Sequence, residues 1–373
     1  MTENPATFRL CFAAAHLVMR PEYAALGHSL AAPGRHDEIE AHIDWPATMR
    51  LRRVLDGYGM GIAEAMDTAQ RFFIGWPAAR RLIAECGAMR LENGFCAGAG
   101  TDQLAAVRGK NDLVDAVVEQ CAFIAGHGGI PVLLPMPWLT ANGASEQDYV
   151  DVYAAIVKQV QGPVFVHWLG EMFLPALAGY FPGDSFSLVM ALDPAVVRGC
   201  KLSLLDAELE VRVRRELLPR EQIVLTGDDF HFGAMIRGDA AAPTRSTMIG
   251  DRRVALGDFS HALLGILDAI AAPTQAALQA LEDGDVAGYE RRMAACEALG
   301  KHVFEAPTQH YKAGLAFLAW CNGLQDTFLL VNREEQHRDR AHYLRCAELA
   351  RAAEAVLDAG MFTRRLNEFT AGG

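Results

Sequence analysis

The sequence predicts an α/β fold, a (β/α)8 TIM barrel with a C-terminal helical extension. Three observations carry that reading. Short β-like runs alternate with longer amphipathic stretches, and strand-then-helix repetition implies a parallel sheet. Eight such units match a closed barrel. The strand signal then stops after Ala262, and the remainder of the chain has a helical pattern. An open doubly wound sheet is the competing architecture, but no GxGxxG follows any early strand. "GAGTDQ" from Gly98 is only a glycine-rich turn.

The first strand is Leu10–Leu17, within an apolar run that ends at Met19. That run is too short to span a bilayer. It also lacks the basic start and small-residue cleavage site of a signal peptide. Arg20–Ile43 contains Pro21, Pro33, Gly34 and mixed charges, and is expected to be an inserted loop at about 20–43. The next strands are Met60–Ala65, Gly94–Gly98, Pro131–Pro135, Val164–Leu169, Val197–Ser203, Ile223–Gly227 and Val254–Gly257. Amphipathic stretches such as Trp76–Cys86, Asp112–Ile124, Glu146–Val160 and Leu205–Leu218 lie between them. The expected division is a barrel over residues 1–265 and a helical extension, packed on it, over 266–373. No repeat or low-complexity linker interrupts the pattern.

With 373 residues, 51% hydrophobic and 21% charged, the chain has the composition of an ordinary globular protein with a full core. A net charge of -12, a pI near 5.5 and the lack of any lysine- or arginine-rich block argue against a nucleic-acid partner. No membrane partner is expected either. The eight cysteines are scattered, with no CxxC pair and no metal-finger spacing, which points to reduced thiols and a cytoplasmic setting.

In such a barrel the reactive groups sit at the C-terminal ends of strands and in the loops just after them. Strand two ends "GIAEAMDT", with Glu64, Asp67 and Thr68. Strand five ends "VFVHWLG", with His167, and strand six offers Lys201 and Ser203. Strand seven ends "VLTGDDFH", with Thr226, Asp228, Asp229 and His231; strand eight ends "ALGDFSH", with Asp258, Ser260 and His261. Each has a structural alternative. Glu64 can simply pair, Asp228 and Asp229 can cap the next helix, and His167 alone reads as a core histidine. His261 is placed on a helix in a structural role, and Cys200 on the opposite face from Lys201.

Lys201 is the anomaly. It stands in "DPAVVRGCKLSLLD", among Val196, Val197, Cys200 and Leu202. An ammonium at the end of a buried strand must be paired, shifted in pKa, or used. Burial lowers a lysine pKa from its solution value near ~10.4 and frees the lone pair. The neutral amine can attack a carbonyl and form an imine that acts as an electron sink. A second group must then move protons, and His167 is suited to it.

These motifs resemble the dihydrodipicolinate synthase/N-acetylneuraminate lyase family of class I aldolase-type barrels. That family carries its imine-forming lysine in a G-x-K segment on the sixth strand, and "GCKLS" matches, with Lys201 in that place. "IVLTGDD" resembles the family's next strand end, and "LEDGDVAGYERRMAACEALGKHVFEAPTQHYKAGLAFLAWCNG" resembles its tail. The resemblance covers roughly Ile43 to Gly323. It is most like an uncharacterised branch catalogued as a domain of unknown function.

The departures are specific. Where the family has a catalytic tyrosine in Y-N-x-P, "HWLG" places His167. Met172 falls near the arginine that the synthases carry, and "PMPW" stands where a relay tyrosine follows strand four. The G-T-T-G-E loop aligns with "AMDTA", placing Met66 and Asp67 at the two threonines.

The resemblance implies a Schiff-base lyase, aldolase or hydratase acting on a small carbonyl compound. Lys201 is the expected nucleophile and His167 the general acid/base. Glu64, Asp67, Thr68, Ser203, Asp228, Asp229 and Asp258 are the expected substrate-binding groups. The covalent imine needs no cofactor, and a homodimer or homotetramer is implied. An anionic Asp67 near the reacting carbonyl disfavours a pyruvate-like carboxylate and favours a sugar-like compound. Two alternatives stay open. One is a metal-dependent isomerase or aldolase with Mn²⁺, Mg²⁺ or Zn²⁺ on Glu64, His167, Asp228 and Asp258. The other is a non-catalytic small-molecule-binding barrel.

Overall fold

Runs of small and β-branched residues become strands whose side chains are buried on both faces, the signature of parallel strands covered by helices. The structure, a computed structural model, describes residues 7–239, 243 and 245–372. Its strands are β1 (Cys11–Ala14), β2 (Gly61–Glu64), β3 (Phe95–Ala99), β4 (Ile130–Leu133), β5 (Val164–Leu169), β6 (Val197–Ser203), β7 (Ile223–Thr226), β8 (Arg245–Ile249), β9 (Arg252–Leu256) and β10 (His261–Leu264). Eight of them close a barrel in the order β1-β10-β7-β6-β5-β4-β3-β2, and β8 and β9 form a separate two-stranded sheet. Pairing is parallel from β3 through β7 and from β7 to β10. Closure leaves no edge among the eight barrel strands to protect. The predicted (β/α)8 barrel is borne out, and so is the helical C-terminal region.

Register fixes which side chains are neighbours. His167 of β5 lies opposite Lys201 of β6, Leu169 opposite Ser203, and Lys201 opposite Leu225 of β7. Gly199 allows β6 and β7 to approach, because a Cβ there would fall 2.3 Å from the Ile223 carbonyl oxygen.

The helices between strands match the amphipathic stretches and have local start signals. Ser145 and Asp148 form a capping box for helix Glu146–Val157, and Asp206 accepts the Leu209 N–H at the start of helix Ala207–Leu217. The 20–43 segment carries structure of its own: a 3₁₀ turn, Pro21–Leu26, a short helix, His36–Ala41, and an antiparallel bridge between Met19 and Ile43.

One strand requires correction. Val254–Gly257, expected as barrel strand eight, overlaps β9, which pairs antiparallel with β8 around a tight turn in which Gly250 has φ 60°. The eighth barrel strand is β10, and His261 is its first residue rather than part of a helix. His261 is a satisfied core histidine. Its Nδ1 accepts the Leu10 N–H (2.8 Å) and its Nε2 donates to the Ala255 carbonyl (3.0 Å).

The chain divides into two compact units, one of Met1–Phe12 with Gly94–Leu263, the other of Ala13–Asn93 with Leu264–Gly373. The first holds β3 to β9 and the start of β10. The second holds β2 and the helices Leu267–Glu282, Val286–Val303, Lys312–Cys321, Arg340–Ala352 and Ala359–Ala371.

Candidate active site

Alternation along β6 puts Lys201 and Ser203 on one face and Cys200 and Leu202 on the other. Cys200 is buried, and burial pushes its thiol well above its ordinary range, which suits a core residue. The chain leaving β7 passes directly over the Lys201 face. A Cβ at Gly227 would fall 2.3 Å from Ser203 Oγ and 3.0 Å from Lys201 Cε. Glycine is required there by close approach rather than by a left-handed φ.

His167 enters from β5. Its Nε2 lies 3.2 Å from Ser203 Oγ, and its Nδ1 is buried with no hydrogen-bond partner. Burial first, and then the charge of Lys201, hold the imidazole well below its usual pKa. The ring is therefore neutral at physiological pH, beside a lysine and a hydroxyl. A buried polar nitrogen with no partner is rare and calls for a ligand or water. Just after β5, the Met172 thioether lies against Gly170, since a Cβ on Gly170 would come 2.3 Å from Met172 Sδ.

The aspartates after β7 are divided in role. Asp228 Oδ1 accepts the N–H groups of Phe230 (2.9 Å) and His231 (3.1 Å), while Oδ2 pairs with His231 Nδ1 (2.8 Å). It therefore holds the turn that leads into helix Phe232–Arg237 without capping the helix itself, since the N-cap is His231 and no side chain caps it. Asp229 is buried beside it. Thr226 faces helix Ala207–Leu217 and donates to Glu210 (3.0 Å), and Ser260 donates to the same carboxyl (2.7 Å). Burial pushes Glu210 up to about 7 despite those two donors.

Asp258 is corrected along with its strand. It precedes β10 instead of following a barrel strand, and it is bound by Arg214 (2.7 Å) and Arg215 (2.9 Å). It therefore does not join Lys201 at the C-terminal strand ends.

In the other unit, the strand-two residues are held by partners that the sequence reading did not name. Glu64 is fully buried and takes a bidentate pair from Arg52, Nε to Oε2 at 2.8 Å and Nη2 to Oε1 at 2.9 Å. Asp67 accepts from Lys312 at 3.1 Å. Lys312 also donates to the Gln309 carbonyl (2.7 Å) and lies 3.7 Å from Glu334. Burial pulls the Lys312 pKa down, but Asp67 and Glu334 together outweigh it and keep the ammonium above its usual value. Thr68 Oγ1 is 2.7 Å from the Tyr311 hydroxyl. A signal for Lys312 was present: it opens "KAGLAFLAWC", a single charge in an otherwise apolar run. His16, two residues past β1, was also missed; Asp268 (2.5 Å) and Gln325 (2.8 Å) occupy its two ring nitrogens.

The metal set Glu64, His167, Asp228 and Asp258 is not supported, because Arg52 occupies Glu64 and Asp258 lies before its strand. Among the described residues no helix is long and apolar enough to cross a membrane.

The profile of a family described as "Protein of unknown function (DUF993)" matches residues 1–372. No curated protein matches the sequence. Solved structures do. Dihydrodipicolinate synthase from Oceanobacillus iheyensis is 12% identical, with TM-score 0.64, over 93% of this chain and 97% of that one. Dihydrodipicolinate synthase from Aquifex aeolicus is 13% identical, with TM-score 0.62, over 94% and 100%. CdNal from Clostridium difficile, solved in complex with mannosamine, is 12% identical, with TM-score 0.61, over 93% and 99%. At these identities the likeness is one of fold, and it bears out the resemblance at that level.

Proposed function

The chain belongs to the DUF993 family, proteins of unknown function, and we propose that it is a lyase of the aldolase or hydratase type, working through a lysine imine on a small carbonyl compound. One observation carries the reading. A neutral, buried imidazole with a ring nitrogen lacking any partner stands beside Lys201 at the C-terminal end of adjacent parallel strands. That is a nucleophile and a proton carrier in the place where barrels of this fold do chemistry.

The Lys201 amine adds to the substrate carbonyl carbon, and water leaves to give an iminium. His167 removes the proton from a hydroxyl one carbon beyond the α-carbon. The bond between those two carbons breaks, an aldehyde departs, and its electron pair enters the iminium to give an enamine. The imidazolium returns its proton to the enamine carbon, and water hydrolyses the imine to release the second product and the amine. Ser203, hydrogen-bonded to His167, relays or steadies that proton. Asp228 and Asp229 shape the loop over the site. Glu64, Asp67 and Thr68 are assigned no step.

The proposed substrate is sugar-like. Near the place where the synthases carry an arginine this chain presents the Met172 thioether, which cannot pair with a substrate carboxylate. Eight buried cysteines, none in a disulfide, support a reducing, cytoplasmic setting. A homodimer or homotetramer accompanies this reading and is measurable by light scattering.

The test is borohydride reduction with glyceraldehyde or with pyruvate, followed by intact mass and peptide mapping. A glyceraldehyde adduct on Lys201, absent from Lys201→Ala with its fold intact, is expected, and pyruvate at low-millimolar concentration should give none. No adduct on Lys201 with any carbonyl would overturn the imine mechanism. Efficient pyruvate trapping would overturn the substrate class alone.

A further inference from the structure

In the second unit, two C-terminal helices bring together another set of reactive side chains. His302 lies at the end of helix Val286–Val303, and His342 and Cys346 are four residues apart on one face of helix Arg340–Ala352. One ligand atom from each of the three lies within 4.8 Å of the other two. His342 and Cys346 are buried, while His302 is part-exposed and leaves a way in from solvent.

Glu305 organises the histidines. Its Oε1 stands 2.9 Å from His342 Nδ1 and its Oε2 stands 3.2 Å from His302 Nδ1. The two rings stack, with centroids 4.4 Å apart at 29°. For His342 a carboxylate on Nδ1 fixes the tautomer that leaves Nε2 as a ligand, which is how carboxylates support metal-bound histidines; His302 becomes a ligand by giving up one of its two ring contacts. His342 Nε2 is buried and has no hydrogen-bond partner. His302 Nε2 lies 3.0 Å from the His342 carbonyl oxygen. The remaining donor is a thiol. Coordination to a soft divalent ion deprotonates such a thiol outright.

We propose that His302, His342 and Cys346 bind one Zn²⁺, with Glu305 outside the coordination shell and water as the fourth ligand. Two imidazoles and a thiolate suit zinc and disfavour magnesium or calcium. On binding, the Cys346 S–H proton passes to solvent and a sulfur–zinc bond replaces it. The ion ties helix Val286–Val303 to helix Arg340–Ala352, so it stabilises the folded chain over the unfolded one.

The experiment uses the full chain, stripped with a chelator under reducing conditions and titrated with Co²⁺. One equivalent should bind with a thiolate-to-cobalt charge-transfer band in the near ultraviolet, and Zn²⁺ should displace it and raise the melting temperature. Cys346→Ser should lose the band. His302→Gln, at the part-exposed ligand and therefore tolerant of change, should weaken binding at least ~10-fold. Lys201→Ala should bind as the parent does, which separates this site from the imine site. Co²⁺ binding without the band, a band that survives Cys346→Ser, or no binding at all would overturn the proposal.

Discussion

Gly227→Ala perturbs the candidate site by a single methyl group. The new Cβ would meet Ser203 Oγ at 2.3 Å, the Leu202 carbonyl oxygen at 2.7 Å and Lys201 Cε at 3.0 Å. Comfortable carbon contacts lie at about 3.5–4 Å. Relief therefore takes a shift of about 1 Å at Ser203 and several tenths of an ångström at Lys201. The carbonyl cannot simply retreat, because Leu202 accepts the Gly227 N–H at 2.7 Å. Overpacking of this kind costs about 1–3 kcal/mol, read as a lower urea midpoint. A reacting amine displaced on that scale loses up to ~10²-fold in rate, read as slower glyceraldehyde trapping on Lys201. Gly199→Ala is the control. Its Cβ would meet the Ile223 carbonyl oxygen at 2.3 Å, a comparable clash that spares Ser203 and the Lys201 side chain. It should destabilise similarly and trap at close to the parent rate per folded molecule. If folded Gly227→Ala traps as fast as the parent, the Lys201–Ser203 face is not where the carbonyl reacts.

Glu64→Gln removes the counter-ion of a fully buried arginine and should cost about 3–5 kcal/mol in unfolding free energy, with trapping per folded molecule unchanged; a large loss of trapping instead would make Glu64 part of the site. Glu210 binds its proton more tightly folded than unfolded, with a pKa raised to about 7, so its contribution is favourable at low pH and declines as pH rises from about 4.5 to 7, by about 3 kcal/mol in all. Glu210→Gln should flatten that decline, and a parallel curve would show that the carboxyl does not titrate there. His167 has the opposite sign: it is buried neutral with its pKa lowered, so its contribution is present above about 6.5 and is lost as pH falls. His167→Phe should keep adduct formation measurable, slow turnover by ~10²-fold, and remove an acid-side limb from the pH–rate profile. An unchanged profile would make His167 structural.

Much of the barrel was legible because parallel strands buried on both faces read as short continuous apolar runs. Val164–Leu169 and Val197–Ser203 have the same limits in sequence and structure. The eighth strand was not legible for the same reason. Val254–Leu256 within β9 and His261–Leu264 are short, mostly apolar runs close together, and hydrophobicity alone cannot tell a hairpin partner from a barrel strand. The Gly250–Asp251 turn was the available sign. Asp258 was misplaced because it lies between the two runs, so choosing the first moves it from before the barrel strand to after it.

The two lysines show the deeper limit. Lys201 and Lys312 raise the same anomaly, a single ammonium in an apolar segment, and such a group must be paired, shifted or used. Nothing local distinguishes the outcomes, because the neighbours that decide are distant in the chain. Lys312 meets Asp67 across 245 positions, with Glu334 also nearby, and its charge is reinforced. Lys201 meets His167 across the β5–β6 register, and there the effect runs the other way: the lysine helps to keep the imidazole neutral. An ammonium between carboxylates is held as a cation, which suits it to structure. An amine beside a neutral imidazole has a proton acceptor at hand, which is the condition for attack on a carbonyl. The role of each lysine thus depends on its partner, and the partner is set by strand register and helix placement rather than by the segment that carries the lysine.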